Sequence, residues 1–502
     1  MSKKTMLAIY LGTPLALIIL LVVWKVPAFA KNQALSHETD LLQTSQYQST
    51  KLIKQTAEEY QVHMPLISNN ISGSQGKQMA PWYLMVDDGH INYRDVERVY
   101  HPFQKHPNNP IIRADTPWEG NIIQLYGTVL PGFRMWYSSV NVDWGTRQIL
   151  YAESKDGLHW EKPDIDGAGR NILNGGKYGS LVSVINTPQE YDAPYKLKVN
   201  YYYDFNGYWS PDGIQLNPYL ENPVFSNGYD IAQFYWDSHT GSYNGTVKEL
   251  VSVRGTPRRV VRFIGSNDFI NWSMDPHIFE PDVIDDEMYP GFYPQFYGFP
   301  TFPMGEQYLG LLWILKAPDW DGLYGQVNIQ LASSHDGIHW IREEGDRPAI
   351  LDLGGPSSWE DGQIYTATRP IVVGDEFWLY YSGCNQEHGA PLEKTACNIG
   401  LATAPYNRLA SLSGTGVLIT DMMSATGSSI HINYDGSQGL IRVELLRDGL
   451  PLLGYEADNC VSMSADSLDQ IVIWNEQEKL PEGEFQIKFY LENSALFAFV
   501  MK

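Results

Sequence analysis

Hydrophobic positions along this chain fall into short runs punctuated by turn residues, a pattern of strands rather than long helices. Four runs are rich in aromatics: Arg134–Ser139, Tyr195–Tyr203, Tyr308–Ile314 and Phe377–Ser382. Hairpin turns precede three of them, at Pro131-Gly132, Met304-Gly305 and Gly374-Asp375. Three further β-rich runs, Ile149–Glu153, Val260–Gly265 and Ile329–Ser333, each lead into one seven-residue phrase. Its copies are Ser154-Lys-Asp156-Gly-Leu-His-Trp160, Ser266-Asn-Asp268-Phe-Ile-Asn-Trp272 and Ser334-His-Asp336-Gly-Ile-His-Trp340. Ser and Asp bond the backbone amides just ahead of them, Gly permits positive φ, and Trp anchors the next strand by burial. A phrase repeated in this way marks an array of similar supersecondary pieces. Asp156, Asp268 and Asp336 are therefore read as outer-turn residues, not as chemistry.

Five such units are expected, starting near Asn109, Gly169, Tyr229, Glu287 and Asp361. Together they predict a five-bladed β-propeller over residues 82–408. Beyond it, alternating runs at Gly439–Glu444 and Phe485–Tyr490, with turns at Asp448-Gly449 and Pro481–Gly483, predict a C-terminal β-sandwich over 409–502. The fold class is all-β, preceded by an N-terminal signal or anchor helix. Lys3 and Lys4 stand before an apolar stretch, Met6–Trp24, followed by Ala28-Phe29-Ala30. That pattern, over residues 1–30, fits a cleaved signal peptide and, by its length, a membrane anchor. Both imply export, to a periplasmic, secreted or membrane-tethered location. Residues 31–81 read as a polar tether, with helix potential at Leu41–Tyr60.

Composition supports the strand reading: aromatics are 13% of the chain, with 15 Trp and 32 Tyr, while charged residues are only 19%. A net charge of −23 argues against nucleic acid or anionic lipid as a partner, because both require basic surface. A carbohydrate partner is compatible with it. Among three cysteines, Cys384 and Cys397 flank one loop, which fits either a disulfide or two free thiols. The sequence shows no Cys/His cluster of metal type and implies no cofactor.

The stretch Trp82–Asp88, then His101-Pro-Phe, Asn109-Pro110-Ile and Pro117-Trp-Glu119, resembles bacterial proteins similar to glycoside hydrolase family 32. Ser357–Gly362, Gly374–Glu376 and Tyr380–Gly383 fit the same group. A five-bladed propeller followed by a sandwich resembles the family 32 architecture, and the blade core resembles families 32 and 43 together. The resemblance implies cleavage of glycosidic bonds in an oligo- or polysaccharide by carboxylates in the central funnel. The Trp-Met-Asn-Asp-Pro-Asn-Gly and Arg-Asp-Pro motifs of family 32 enzymes are absent, which counts against fructan as substrate.

Glycoside hydrolysis needs two carboxyl groups across the scissile bond, so acids at the heads of the units are the candidates. They are Glu119, whose position matches the first acid of families 32 and 43, then Asp230, Glu287 and Asp361. The second unit offers none: Asn186 stands where relatives tend to carry Asp. Trp118, Tyr289, Trp320, Trp359, Arg369 and His388 are the candidate sugar contacts. Each also has a bland reading, as a cap, a turn acid or inter-blade packing. Three alternatives to hydrolysis stay open: a non-catalytic glycan-binding propeller, a phosphorolytic mannoside-processing enzyme, and sialidase-like chemistry.

Overall fold

The structure is a computed structural model; it describes residues 81–502 apart from 144, 174–179, 188–193, 202–203, 227–229, 344 and 426–427. The expected export segment, and all of the tether but Pro81, lie outside the described residues. Among the described residues no helix is long and apolar enough to cross a membrane.

Among the described residues strands are the dominant element, and α-helix is confined to Val283–Met288. The first antiparallel unit runs Ile122–Leu130, Arg134–Asn141, Thr146–Ser154 and Trp160–Glu161. The second is Ser180–Asn186, Tyr195–Tyr201, Asp204–Ser210 and Asn217–Pro218. Ala232–Asp237, Ser242–Val253, Thr256–Ser266 and Ser273–Phe279 make the third. In the fourth, Tyr293–Gly298, Gln307–Ala317, Gln326–Ser334 and Trp340–Ile341 pair in order. The fifth contains Gln363–Thr366, Glu376–Cys384 and Cys397–Pro405. Its outer strand comes from before the first unit: Gln104–Lys105 pairs with Thr403 and Ala402. An edge that would otherwise expose unpaired backbone is thus covered by the other end of the array. The grouping is consistent with the expected propeller and sandwich.

Strands of the five units lie against one another. Gln233 of the third unit donates to Tyr126 O of the first at 3.2 Å, and Ser183 of the second donates to Gln233 Oε1 at 3.4 Å. Thr128 Oγ1 accepts the Val184 amide at 3.0 Å, and the Thr368 amide bonds Gly127 O at 3.0 Å. Tyr126, Trp313 and Tyr365, from the first, fourth and fifth units, pack with ring centroids 4.8–5.3 Å apart. Such aromatic contacts bury large apolar area and fix mutual orientation.

The seven-residue phrase forms the same turn in each of its copies. In the last, Asp336 Oδ1 accepts the Ile338 and His339 amides, both at 2.8 Å, and Trp340 Nε1 donates to Gly337 O at 3.2 Å. Gly337 sits at φ +76°, where a side chain would be strained. The second unit carries a fourth copy, Ser210-Pro-Asp212-Gly-Ile-Gln-Leu216, with the same Asp-to-amide bonds at 2.8 Å. Leu216 replaces the tryptophan there, which hides the copy in the sequence.

The domain boundary is corrected. Tyr83–Leu84, Ile91–Arg94 and Glu97–Tyr100, expected to open the propeller, pair instead with Glu484–Met501 and Ala410–Thr420. They belong to a ten-stranded sheet with the C-terminal strands. Met85 and Val96 enter its core beside Leu412, Phe489 and Phe499, so apolar burial explains the assignment. The expected start of the first unit near Asn109 is early for a similar reason. Asn109 Nδ2 donates to Leu401 O at 2.8 Å and its Oδ1 accepts the Leu401 amide at 2.8 Å, tying it to the fifth unit.

Candidate active site

A cavity of about 220 Å³ opens where the first strands of the units begin. In a strand alternate side chains share a face, so Ile122, Gln124 and Tyr126 look into it together, while Asp230 and Tyr297 reach it from the third and fourth units. The fifth unit contributes Gln363 and the loop between Cys384 and Cys397, which presents Glu387 and His388. Those cysteines face each other in register on neighbouring strands and form a disulfide. One of the two readings left open is thereby decided, and the loop is held by a covalent bond at its base.

Asp230 is paired with Lys248 at 2.6 Å; the carboxylate keeps 56% of its side chain accessible, whereas the lysine keeps 6%. The acid is therefore reachable while its partner is walled in. Burial would raise the Asp230 carboxyl, but the Lys248 charge and hydrogen bond, with Arg259 beyond, hold it below its ordinary value. Lys248 lies 4.4 Å over the Tyr297 ring and Arg259 5.6 Å from it. Arg259 Nη1 donates to Gln295 Oε1 at 2.5 Å and to Gly322 O at 2.8 Å. Lys198, fully buried, donates to Ala232 O at 2.9 Å; burial pushes its ammonium down to about 7, with Asp230 pulling the other way.

His388 Nδ1 lies 2.7 Å from Leu323 O, and Nε2 lies 3.1 Å from the Tyr297 hydroxyl. A carbonyl only accepts, so Nδ1 carries the proton and Nε2 accepts from Tyr297. Burial is the main cause that pushes the ring down to about 4, aided by Arg259 and Lys248 and opposed by the Leu323 hydrogen bond. The imidazole is neutral at physiological pH.

Of the candidate acids, only Asp230 lines this cavity. Glu119 is fully buried elsewhere: it accepts from Tyr137 OH at 2.8 Å, Thr116 Oγ1 at 2.9 Å and Lys162 Nζ at 2.8 Å. Two backbone amides bond it as well, so that four donors meet on Oε2 and Tyr137 alone on Oε1, all from within the first unit and the segment leading into it. Glu287 is exposed on a short helix, Val283–Met288, whose neighbouring acids are held by arginines. Asp361 accepts the Ser357 amide at 2.6 Å, as a turn residue does. Expected at the funnel with Asp230, these three lie away from its cavity.

The expected sugar contacts also divide. His388 is at the cavity, and exposed Trp320 sits in the loop whose Leu323 carbonyl holds that histidine. Trp118 donates to Asn171 Oδ1 at 2.8 Å, Tyr289 accepts from Gln330 at 3.1 Å, and Trp359 stacks on Tyr381; none of the three lines the cavity. Arg369 lines a different cavity, of about 170 Å³, at the far ends of the same first strands. Sequence reading missed Lys248, Arg259, Tyr297, Arg147 and Glu387. Only Glu387 had a signal, its place beside His388 in the cysteine-flanked loop. Among the described residues no His, Cys, Asp and Glu cluster has metal-holding geometry.

No family model matches the chain. An uncharacterized protein of Mycobacterium tuberculosis, Rv1502 in strain H37Rv and MT1551 in strain CDC 1551, is 38% identical over 77 residues. That match spans 12% of this chain and 23% of the relative's length. Among solved structures, a glycosyl hydrolase from Bacteroides ovatus is similar with 15% identity, covering 62% of this chain and 97% of that one, at a TM-score of 0.42. A fructofuranosidase from Schwanniomyces occidentalis, complexed with fructosylnystose, shows 12% identity, 80% and 99% coverage and a TM-score of 0.39. A structure described with the GH130 family of mannoside phosphorylases shows 18% identity, 62% and 97% coverage and a TM-score of 0.38.

Proposed function

We propose that this chain is a carbohydrate-processing enzyme of the glycosidase type, a five-bladed propeller joined to a sandwich, acting through carboxylates in its central cavity. The observation that carries the reading is Asp230: reachable, held ionised by a buried lysine, and placed where the units converge. A carboxylate kept in its charged form serves as the nucleophile or base of glycoside cleavage. Glu387, on the disulfide-tied loop, is the second carboxyl group at the same cavity and takes the role of proton donor. Tyr297, His388 and Trp320 then supply ring faces and polar atoms to a sugar. The disulfide supports export, since such bonds persist in oxidising compartments.

The test is turnover of a panel of aryl glycosides and oligosaccharides by Asp230→Asn and Glu387→Gln. Each lowers kcat by about 10²–10⁴-fold, the scale of acid–base catalysis. Glu287→Gln and Asp361→Asn stay within a few-fold of the parent. Full activity in Asp230→Asn sinks the assignment.

A further inference from the structure

The chain carries a net charge of −23, yet the cavity at the head of the units is the reverse. Lys248, Arg259 and Arg147 stand at or beside it against two carboxylates, Asp230 and Glu387. Lys248 spends its charge on Asp230. Arg259 hydrogen-bonds neutral partners, Gln295 Oε1 and Gly322 O, and acts on Asp230 through its field alone. Arg147 is exposed on the lining. Among the described residues neither arginine forms an ion pair with a carboxylate. The field of these cations is felt by their neighbours: Arg259 and Lys248 both help to depress the His388 ring. In a strongly acidic protein, most of the surface repels anions, and a cationic concavity is where field lines draw them in.

We propose that the substrate is an anionic glycan, one whose sugar bears a carboxylate, sulfate or phosphate group, recognised by Arg147 with Arg259 behind it. The inference rests on the glycosidase-type reading and names the substrate class for the same cavity. A planar guanidinium offers two parallel N–H donors to such a group and is the side chain suited to bind it. Because Asp230 is already neutralised by Lys248, an incoming anion meets the arginines and not an unbalanced carboxylate.

The experiment is isothermal titration of the full chain at low salt with methyl glucuronide, methyl glucoside, the matching galacto pair and inorganic phosphate. The uronides bind about tenfold tighter than the neutral glycosides, the scale of a hydrogen bond to a charged group. The preference falls toward one in Arg147→Gln and at raised salt, while the melting temperature is unchanged because Arg147 is exposed. Equal affinity for uronide and neutral glycoside, or a preference that survives Arg147→Gln, overturns the inference and leaves the glycan reading standing. Phosphate binding without uronide binding assigns the cations to a free anion and also overturns it. Binding of no sugar at all overturns the glycan reading itself.

Discussion

At the Asp230 carboxyl, burial and charge pull in opposite directions, and the Lys248 ammonium prevails. At His388 they pull the same way, since burial and the cations Arg259 and Lys248 all disfavour a charged ring. A stability prediction follows from the sign. The folded ring titrates at about 4 and an unfolded histidine at about 6.5. Between those values the unfolded chain holds a proton that the folded one lacks, so acid favours unfolding. The contribution is complete above pH 6.5 and is lost as pH falls toward 4, by an amount on the order of 3 kcal/mol. Denaturant midpoints of the parent and His388→Gln, measured across that window, should converge as pH falls; parallel curves would remove the effect. Legibility at this scale was uneven. Asp230 and His388 stood out as an acid and an imidazole in loops, and the structure puts both at the cavity. Glu119 looked equally good, because sequence does not reveal that five donors close around it.

Strands and turns were the most legible elements. The Ser-x-Asp phrase needs only its own amides and its own glycine or φ-positive residue, so its geometry is written locally. Its degenerate copy at Ser210–Leu216 keeps the hydrogen bonds and loses only the packing residue. Gly127 is a different case. It sits at a register shift between Ile122–Leu130 and Arg134–Asn141, and a Cβ there would lie 1.9 Å from Trp136 O. Gly127→Ala is expected to cost about 1–3 kcal/mol in chemical denaturation, through forced backbone movement. Gly345→Ala, with open space around it, should change stability by less than about 0.5 kcal/mol. Equal effects from the two would show that the strand carrying Gly127 yields freely.

For the whole molecule, the stretch before the first unit does two jobs at once: three strands complete the C-terminal sheet, and Gln104–Lys105 closes the fifth unit. Deletion through His106 should therefore strip both, leaving Cys397–Pro405 and Ala410–Thr420 with open edges that pair between molecules. Size-exclusion chromatography should show aggregate in place of the parent's peak, and a product that elutes without aggregate and melts cooperatively would refute this role. The sequence by itself determined an all-β chain, its succession of units, the repeated turn and two of the side chains now at the cavity. These are periodic or local features, each set by residues a few positions apart. Only the tertiary structure decided that Lys248 neutralises Asp230, that Glu387 and Arg147 share its cavity, and that residues 83–100 cross to the C-terminal sheet. Those contacts join residues from 18 (Asp230 and Lys248) to more than 400 positions apart. They depend on register and on which distant strands pair, quantities that no local pattern of hydrophobic and polar residues encodes.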